Sequence, residues 1–219
     1  NLPPITSLTE YRPKLPLRVY SADGTLLGEF GEERRSFVPV AQIPKVMKDA
    51  VLAIEDARFY DHGGVDYVGM LRAGLAQFSE ARSQGASTIT MQVARNFYLS
   101  TEQTLTRTIY EVLLTWKIES QLTKDQILEA YMNQIFLGQR AYGFAAAAEI
   151  YFGKPLKDVT VAEAAMLAGL PKAPSAYNPI VNPKRATIRQ QHIIERMLDN
   201  GFISAEQAAA EKDKKLRYR

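Results

Sequence analysis

Ile43-Pro44-Lys45-Val46-Met47-Lys48-Asp49-Ala50-Val51-Leu52-Ala53-Ile54-Glu55-Asp56-Ala57-Arg58-Phe59-Tyr60-Asp61-His62-Gly63-Gly64 is the stretch from which the rest of the chain is best read. Ile43, Met47, Val51 and Ile54 recur at helical spacing, which turns one apolar face toward a core. The pattern ends on two adjacent carboxylates, Glu55 and Asp56, just before a His-Gly-Gly breaker. Acidic groups are unfavourable at a helix C-terminus, where the dipole presents partial negative charge. A carboxyl held there has its pKa raised, and a raised pKa suits proton transfer. A plainer reading also stands: both carboxylates are solvated, or paired with Arg58. His62 reads equally as an ordinary loop or core histidine, and a chain with two histidines is not expected to build a metal site.

Downstream the helical pattern continues. Thr123-Lys-Asp-Gln126, Thr160-Val-Ala-Glu163 and Ser204-Ala-Glu-Gln207 are capping boxes, and Asn182-Pro183 is a cap followed by proline at the first helical position. Gly138, Gly153 and Gly201 stand where helix stops are expected. Leu105, Ile109, Val112, Leu113 and Trp116 form a stripe expected to be buried. Glu129 and Asn133 share a face of the capped helix that begins after Thr123, as do Ile127 and Tyr131.

Upstream, Asp23-Gly24 between two short apolar runs is the one good β-hairpin signal. The expected architecture is mainly α. Residues 1–40 form an extended lead-in and a small N-terminal β-hairpin, 41–210 the main domain, and 211–219 the charged start of a linker to a further domain. The start at Asn1, without methionine, implies a preceding segment.

With 219 residues, 46% of them apolar and 23% charged, the chain can bury an ordinary core, and no disordered or fibrous class fits. There are no cysteines, so disulfide and thiolate-metal frameworks are excluded. A net charge of +3 and a pI near 9.0 suit an anionic partner without naming one. No run approaches the length of a membrane span.

Two further segments carry polar groups that chemistry can use. In Gly85-Ala86-Ser87-Thr88-Ile89-Thr90-Met91-Gln92-Val93-Ala94-Arg95, a glycine and hydroxyls open an apolar helix. Such an end presents free N–H groups to phosphate, with Arg95 further along; it is equally an ordinary N-cap. Arg107 and Glu111 lie four apart on one helix face. They form either a surface salt bridge or the second carboxylate of a two-acid sugar site, held by a cation.

Taken in order, the blocks resemble a known family. Glu55-Asp-x-x-Phe59-x-x-His62-x-Gly64, Gly85-x-Ser87-Thr88-Ile89-Thr90-x-Gln92, Arg107-x-x-x-Glu111 and Lys124-x-x-Ile127-Leu128-Glu129-x-Tyr131-x-Asn133 are similar to the ordered motifs of family 51 glycosyltransferases, the glycan-polymerising domains of class A penicillin-binding proteins. Ala146–Lys154 and Glu163–Pro179 resemble that family's fifth block. The resemblance runs from about Leu17 to the end of the chain.

It implies a lysozyme-like two-lobed fold, with a membrane-facing jaw at about 65–100 and donor and acceptor subsites in the cleft. It implies polymerisation of lipid II into β-1,4-linked glycan strands, with inversion and release of undecaprenyl diphosphate. Glu55 matches the general base and Glu111 a second motif carboxylate, a stabiliser or organiser. Asp56, Ser87, Thr88, Gln92, Arg95, Arg107 and Lys172 match substrate-binding positions, Arg95 and Lys172 toward the diphosphate. The implied partners are lipid II, the nascent strand, the outer leaflet of the cytoplasmic membrane and moenomycin-type inhibitors, with no nucleic acid. The implied address is the periplasmic face of the bacterial inner membrane, reached through an N-terminal anchoring helix. No cofactor is required, although a divalent cation such as Mg is compatible.

Three positions depart from the family pattern. Thr108 replaces a usual lysine, Gln103 stands where a basic residue is common, and Met91 replaces the first of two glutamines. Each removes a cation or polar group from the expected diphosphate path. Two rival readings remain on sequence grounds: a muramidase on the same fold, and a non-catalytic lipid II or glycan-binding module.

Overall fold

The computed structural model describes residues 2–5, 17–22, 26–30, 37–67, 87–98 and 105–219. Strands β1 (Leu17–Tyr20) and β2 (Leu26–Phe30) pair antiparallel, with Leu17 opposite Phe30 and a register irregularity between Val19 and Tyr20. The expected Asp23-Gly24 turn, most of the jaw (68–86) and Gln103 lie outside the described residues.

The described chain is otherwise mainly helical. Its α-helices are α1 (Lys45–Glu55), α2 (Ile89–Tyr98), α3 (Leu105–Gln121), α4 (Lys124–Gln134), α5 (Phe144–Phe152), α6 (Val161–Ala168), α7 (Pro183–Asp199) and α8 (Ala205–Lys212). Every residue of α6, Val-Ala-Glu-Ala-Ala-Met-Leu-Ala, is buried, as expected of a helix apolar nearly all round. Helices α1 and α7 pack against α6 and against each other, while α2 packs on α3 and α4. Met47 and Val51, from the stripe that opened the sequence reading, are fully buried in this core.

Local chemistry fixes the helix ends. Thr123 with Gln126 and Thr160 with Glu163 form complete capping boxes, and Ser204 Oγ accepts from the Gln207 N–H. A cap of this kind stabilises by about 1 kcal/mol. Pro183 does open α7, but Asn182 provides no side-chain cap; its amide donates to the Ser175 carbonyl instead. Glu211 of α8 accepts from the Ala162 N–H (3.0 Å), so α8 satisfies an orphan donor at the start of the buried α6. On α4, Glu129 Oε2 accepts from the Val40 N–H, and Asn133 bonds both the N–H and the carbonyl of Val38. The polar edge of α4 therefore pins the segment that leads into α1.

One expectation fails. Ile109, Leu113 and Trp116 of α3 are 55%, 45% and 46% exposed, and the buried side of the helix is Glu111, Leu114, Thr115 and Ile118. The apolar period selected the wrong face because the inner face carries two polar residues. Thr115 can be buried there because its hydroxyl donates to the Glu111 carbonyl (2.7 Å).

Candidate active site

Helix α1 delivers Glu55 at its last residue, and Asp56 follows as its C-cap. Their environments differ. The Asp56 carboxylate accepts from His62 Nε2 (2.7 and 2.8 Å) and from the Ile89 N–H at the start of α2 (3.1 Å). His62 Nδ1 in turn accepts from the Gly64 N–H (3.0 Å), which leaves Nε2 as the donor to Asp56. Both side chains are almost completely buried, at 3% and 4% exposure. Thr88 completes the joint: its hydroxyl donates to the Gly64 carbonyl and accepts from the Met91 N–H. Gly64 is required here, because at φ +99° an added Cβ would lie 2.7 Å from Thr115 Cγ2 and 2.8 Å from Glu119 Cγ. Asp56 and Thr88, expected to bind substrate, make these bonds to protein groups and fasten the end of α1 to the start of α2. Arg58 faces Asp66 (3.8 Å) rather than either carboxylate.

Glu55 is poised otherwise. Its Oε2 accepts from Gln92 Nε2 (3.0 Å), and the Gln92 amide oxygen accepts a long bond from the Tyr131 hydroxyl (3.4 Å). Its Oε1 is buried and has no hydrogen-bond partner. Burial pushes the Glu55 carboxyl above the usual range; the Gln92 bond and the charges of Arg189 and Lys172 pull it down, and Asp56 pushes it up. Burial also raises the Tyr131 phenol well above its ordinary value, with the Glu55 charge adding to it. A carboxylate with one oxygen held and the other unpartnered is arranged to take a proton from an incoming hydroxyl.

A second centre lies on α2 and α3. Arg95, in the last turn of α2, reaches Glu111 with two nitrogens (Nη2–Oε1 2.6 Å, Nε–Oε2 3.3 Å) and donates to Ser87 Oγ (2.9 Å). The cation that holds Glu111 is therefore Arg95 from the neighbouring helix, in a forked geometry. Arg107 is half-buried in the first turn of α3, and Lys172 is exposed in the loop after α6. The structure thus gathers Glu55, Gln92 and the charge of Lys172 in one place, and Ser87, Arg95 and Glu111 in another, both anchored on α2.

Sequence reasoning missed Arg189 and assigned Tyr131 no role. Arg189 Nη2 lies 3.8 Å from Glu55 Oε1, while its Nε donates to the Gly169 carbonyl (2.9 Å). Its guanidinium also stacks over the Tyr177 ring, 4.9 Å from the centroid. The signal was present: Arg189 lies three residues after buried Ala186 and four before buried Ile193, so a cation sits on the inner stripe of α7. Tyr131 lines a cavity of about 370 Å³ with Asn96, Gln134 and Pro171. Arg189 lines a groove of about 740 Å³ with Tyr177, Arg185 and Ile188. Partners of Glu55 and Gln92 therefore open on two clefts. Among the described residues, no cluster of three His, Asp or Glu is placed to hold a metal, and no helix is long and apolar enough to cross a membrane.

Known proteins resemble this chain in sequence and in fold. The transglycosylase family model matches residues 23–198. Penicillin-binding protein 1A of Neisseria flavescens is 57% identical over 218 residues, covering 99% of this chain and 27% of that protein. A Cupriavidus necator protein described as a transglycosylase is 64% identical over 168 residues, covering 77% of this chain and 73% of its own. The crystal structure of penicillin-binding protein 1A from Haemophilus influenzae superposes with a TM-score of 0.57 at 32% identity, over 95% of this chain and 22% of that one. The chain thus spans about a quarter of the length of the Neisseria relative it matches.

Proposed function

Because this chain belongs to the transglycosylase family, we propose that it is a peptidoglycan glycosyltransferase that polymerises lipid II into β-1,4-linked glycan strands. The observation that carries the reading is Glu55: buried, bonded through Oε2 to Gln92, and without a hydrogen-bond partner at Oε1. In the proposed reaction, Oε1 takes the proton of the 4-hydroxyl of the acceptor sugar. That oxygen forms a bond to C1 of the lipid-linked donor strand from the face opposite the leaving group. The bond from C1 to the diphosphate oxygen breaks, its electron pair leaves with undecaprenyl diphosphate, and the configuration inverts. Burial raises the Glu55 pKa above that of a solvated carboxylate, so its ionised form is a stronger base.

Negative charge develops on the departing diphosphate, and fixed cations there lower the barrier. Arg95, held in a fork by Glu111, and exposed Lys172 are the cations assigned to it, with Ser87 setting the far side of the Arg95 guanidinium. Glu111 thereby organises a cation and does not act as a nucleophile. Arg107 is assigned to substrate binding on the same side, while Asp56 and Thr88 hold the frame. Catalysis in this scheme needs no cofactor, and the substrate lies in the outer leaflet of the cytoplasmic membrane on its periplasmic face.

The test is incubation of the purified protein with lipid II in detergent, with products resolved by gel. Polymer that a muramidase digests establishes transfer. Shortening of added glycan strands with new reducing ends, and no polymer, would establish a hydrolase instead.

A further inference from the structure

Arg189 belongs to none of the motif blocks from which the site was read, yet it is the cation that faces the buried, unpartnered oxygen of Glu55. The separation of 3.8 Å is too long for a hydrogen bond and short enough for strong charge attraction. Two contacts and its burial fix it at that distance. Its Nε is held by the Gly169 carbonyl at 2.9 Å, its guanidinium carbon lies over the Tyr177 ring, and α7 carries it on the buried face with only 11% of the side chain exposed. The result is unusual for an arginine and a carboxylate in a buried setting, where a forked pair is the ordinary outcome. Here the fork is withheld, and Glu55 Oε1 keeps no hydrogen-bond donor at all.

Building on the glycosyltransferase reading, we propose that Arg189 is a positioning residue that keeps Glu55 ionised from a distance while leaving Oε1 open to the acceptor hydroxyl. A closer arginine would hydrogen-bond Oε1 and compete with the substrate for it. With no arginine, burial would favour the protonated carboxyl, which cannot act as a base. The other groups facing Glu55 do not replace it. Asp56 beside it is acidic, Gln92 from α2 is uncharged, and Tyr131 from α4 is a phenol whose own ionisation burial suppresses. Lys172, from the loop after α6, lowers the Glu55 pKa less than Arg189 does, and it is exposed to screening solvent.

The experiment uses the whole chain with ¹³C-labelled glutamate carboxyls, titrated by NMR, with Glu55→Gln identifying the Glu55 resonance. The acid limb of kcat/KM for lipid II polymerisation is measured alongside. Arg189→Gln and Arg189→Met both remove the charge, one keeping a donor for Gly169 and the other filling the volume; Arg189→Lys restores the charge. Either neutral variant is expected to move the Glu55 midpoint and the acid limb together to higher pH, by about one to three units. Arg189→Lys is expected to bring both back toward the parent. An unmoved Glu55 midpoint in a folded neutral variant, beside an active parent, overturns this inference and leaves the glycosyltransferase reading standing. So does a rate loss equal at every pH. No polymer from the parent overturns the reading itself, and with it the role given to Arg189.

Discussion

Glu55 sits where opposing influences meet: burial disfavours its charge, while Gln92, Arg189 and Lys172 favour it, and burial is the largest. That balance has a consequence for stability. A carboxyl whose pKa is higher folded than unfolded binds a proton more readily in the folded protein. The folded state is therefore favoured below the unfolded value of 4.5 and loses that advantage as pH rises through the folded value. Glu55→Gln removes the titration, so thermal unfolding across pH should show the variant gaining on the parent as pH rises above 4.5. A constant difference between the two at all pH values would contradict the account. At this scale the sequence was informative where a residue belongs to a dense motif. Glu55, Gln92 and Glu111 stand in blocks whose order is diagnostic, Arg95 lies three residues beyond one of them, and all four fall in the candidate site. Arg189 stands alone in a polar-looking helix, more than 130 residues beyond Glu55, and only its place on the inner stripe of α7 marks it. The distinct duties of adjacent Glu55 and Asp56 were not legible either, because they depend on which neighbours approach from α2 and α7.

Elements meet at the joint between α1 and α2. One carboxylate, Asp56, ties His62 to the first turn of α2, and α2 carries Gln92 to Glu55 and Arg95 to Glu111. Asp56→Ala leaves the His62 Nε2 and Ile89 N–H groups buried without their acceptor. It should cost about 3 kcal/mol or more, read by urea unfolding, since charge-assisted bonds are lost and donors orphaned. Polymerisation should fall with it, because both proposed centres depend on where α2 begins. A variant as stable as the parent would show that the joint does not hold α2. Helix starts were legible in the sequence because a cap is a local bargain between a side chain and the next turn: Thr123 and Thr160 form the full boxes their spacing implies, and Ser204 forms the first half of one. The face of α3 was not legible, since its buried side includes Glu111, which pairs with an arginine from another helix. Periodicity weighs apolar residues and cannot see a polar partner supplied by a distant part of the chain.

For the whole molecule, the buried helix α6 is the common wall of α1 and α7, the helices that present Glu55 and Arg189 to one another. Leu167 in α6 is fully buried, so Leu167→Ala should destabilise by about 3 kcal/mol in denaturant unfolding, through lost transfer energy and the cavity left behind. A change below about 1 kcal/mol would mean that this wall repacks freely, and would weaken the case for a fixed spacing between Glu55 and Arg189. That the chain is mainly helical was evident from its apolar periodicity and capping signals. How α1, α6 and α7 converge was not, because the contacts join segments far apart in sequence. The family model covers residues 23–198, within which both Glu55 and Arg189 fall. The central claim is that Glu55 removes the proton of the acceptor hydroxyl, and the most direct measurement compares lipid II polymerisation by the parent and by Glu55→Gln. Muramidase-sensitive polymer from the parent, with a rate reduced by about 100-fold or more in a folded Glu55→Gln variant, is the result predicted for loss of a general base. Polymer formed at comparable rates by both proteins would contradict it.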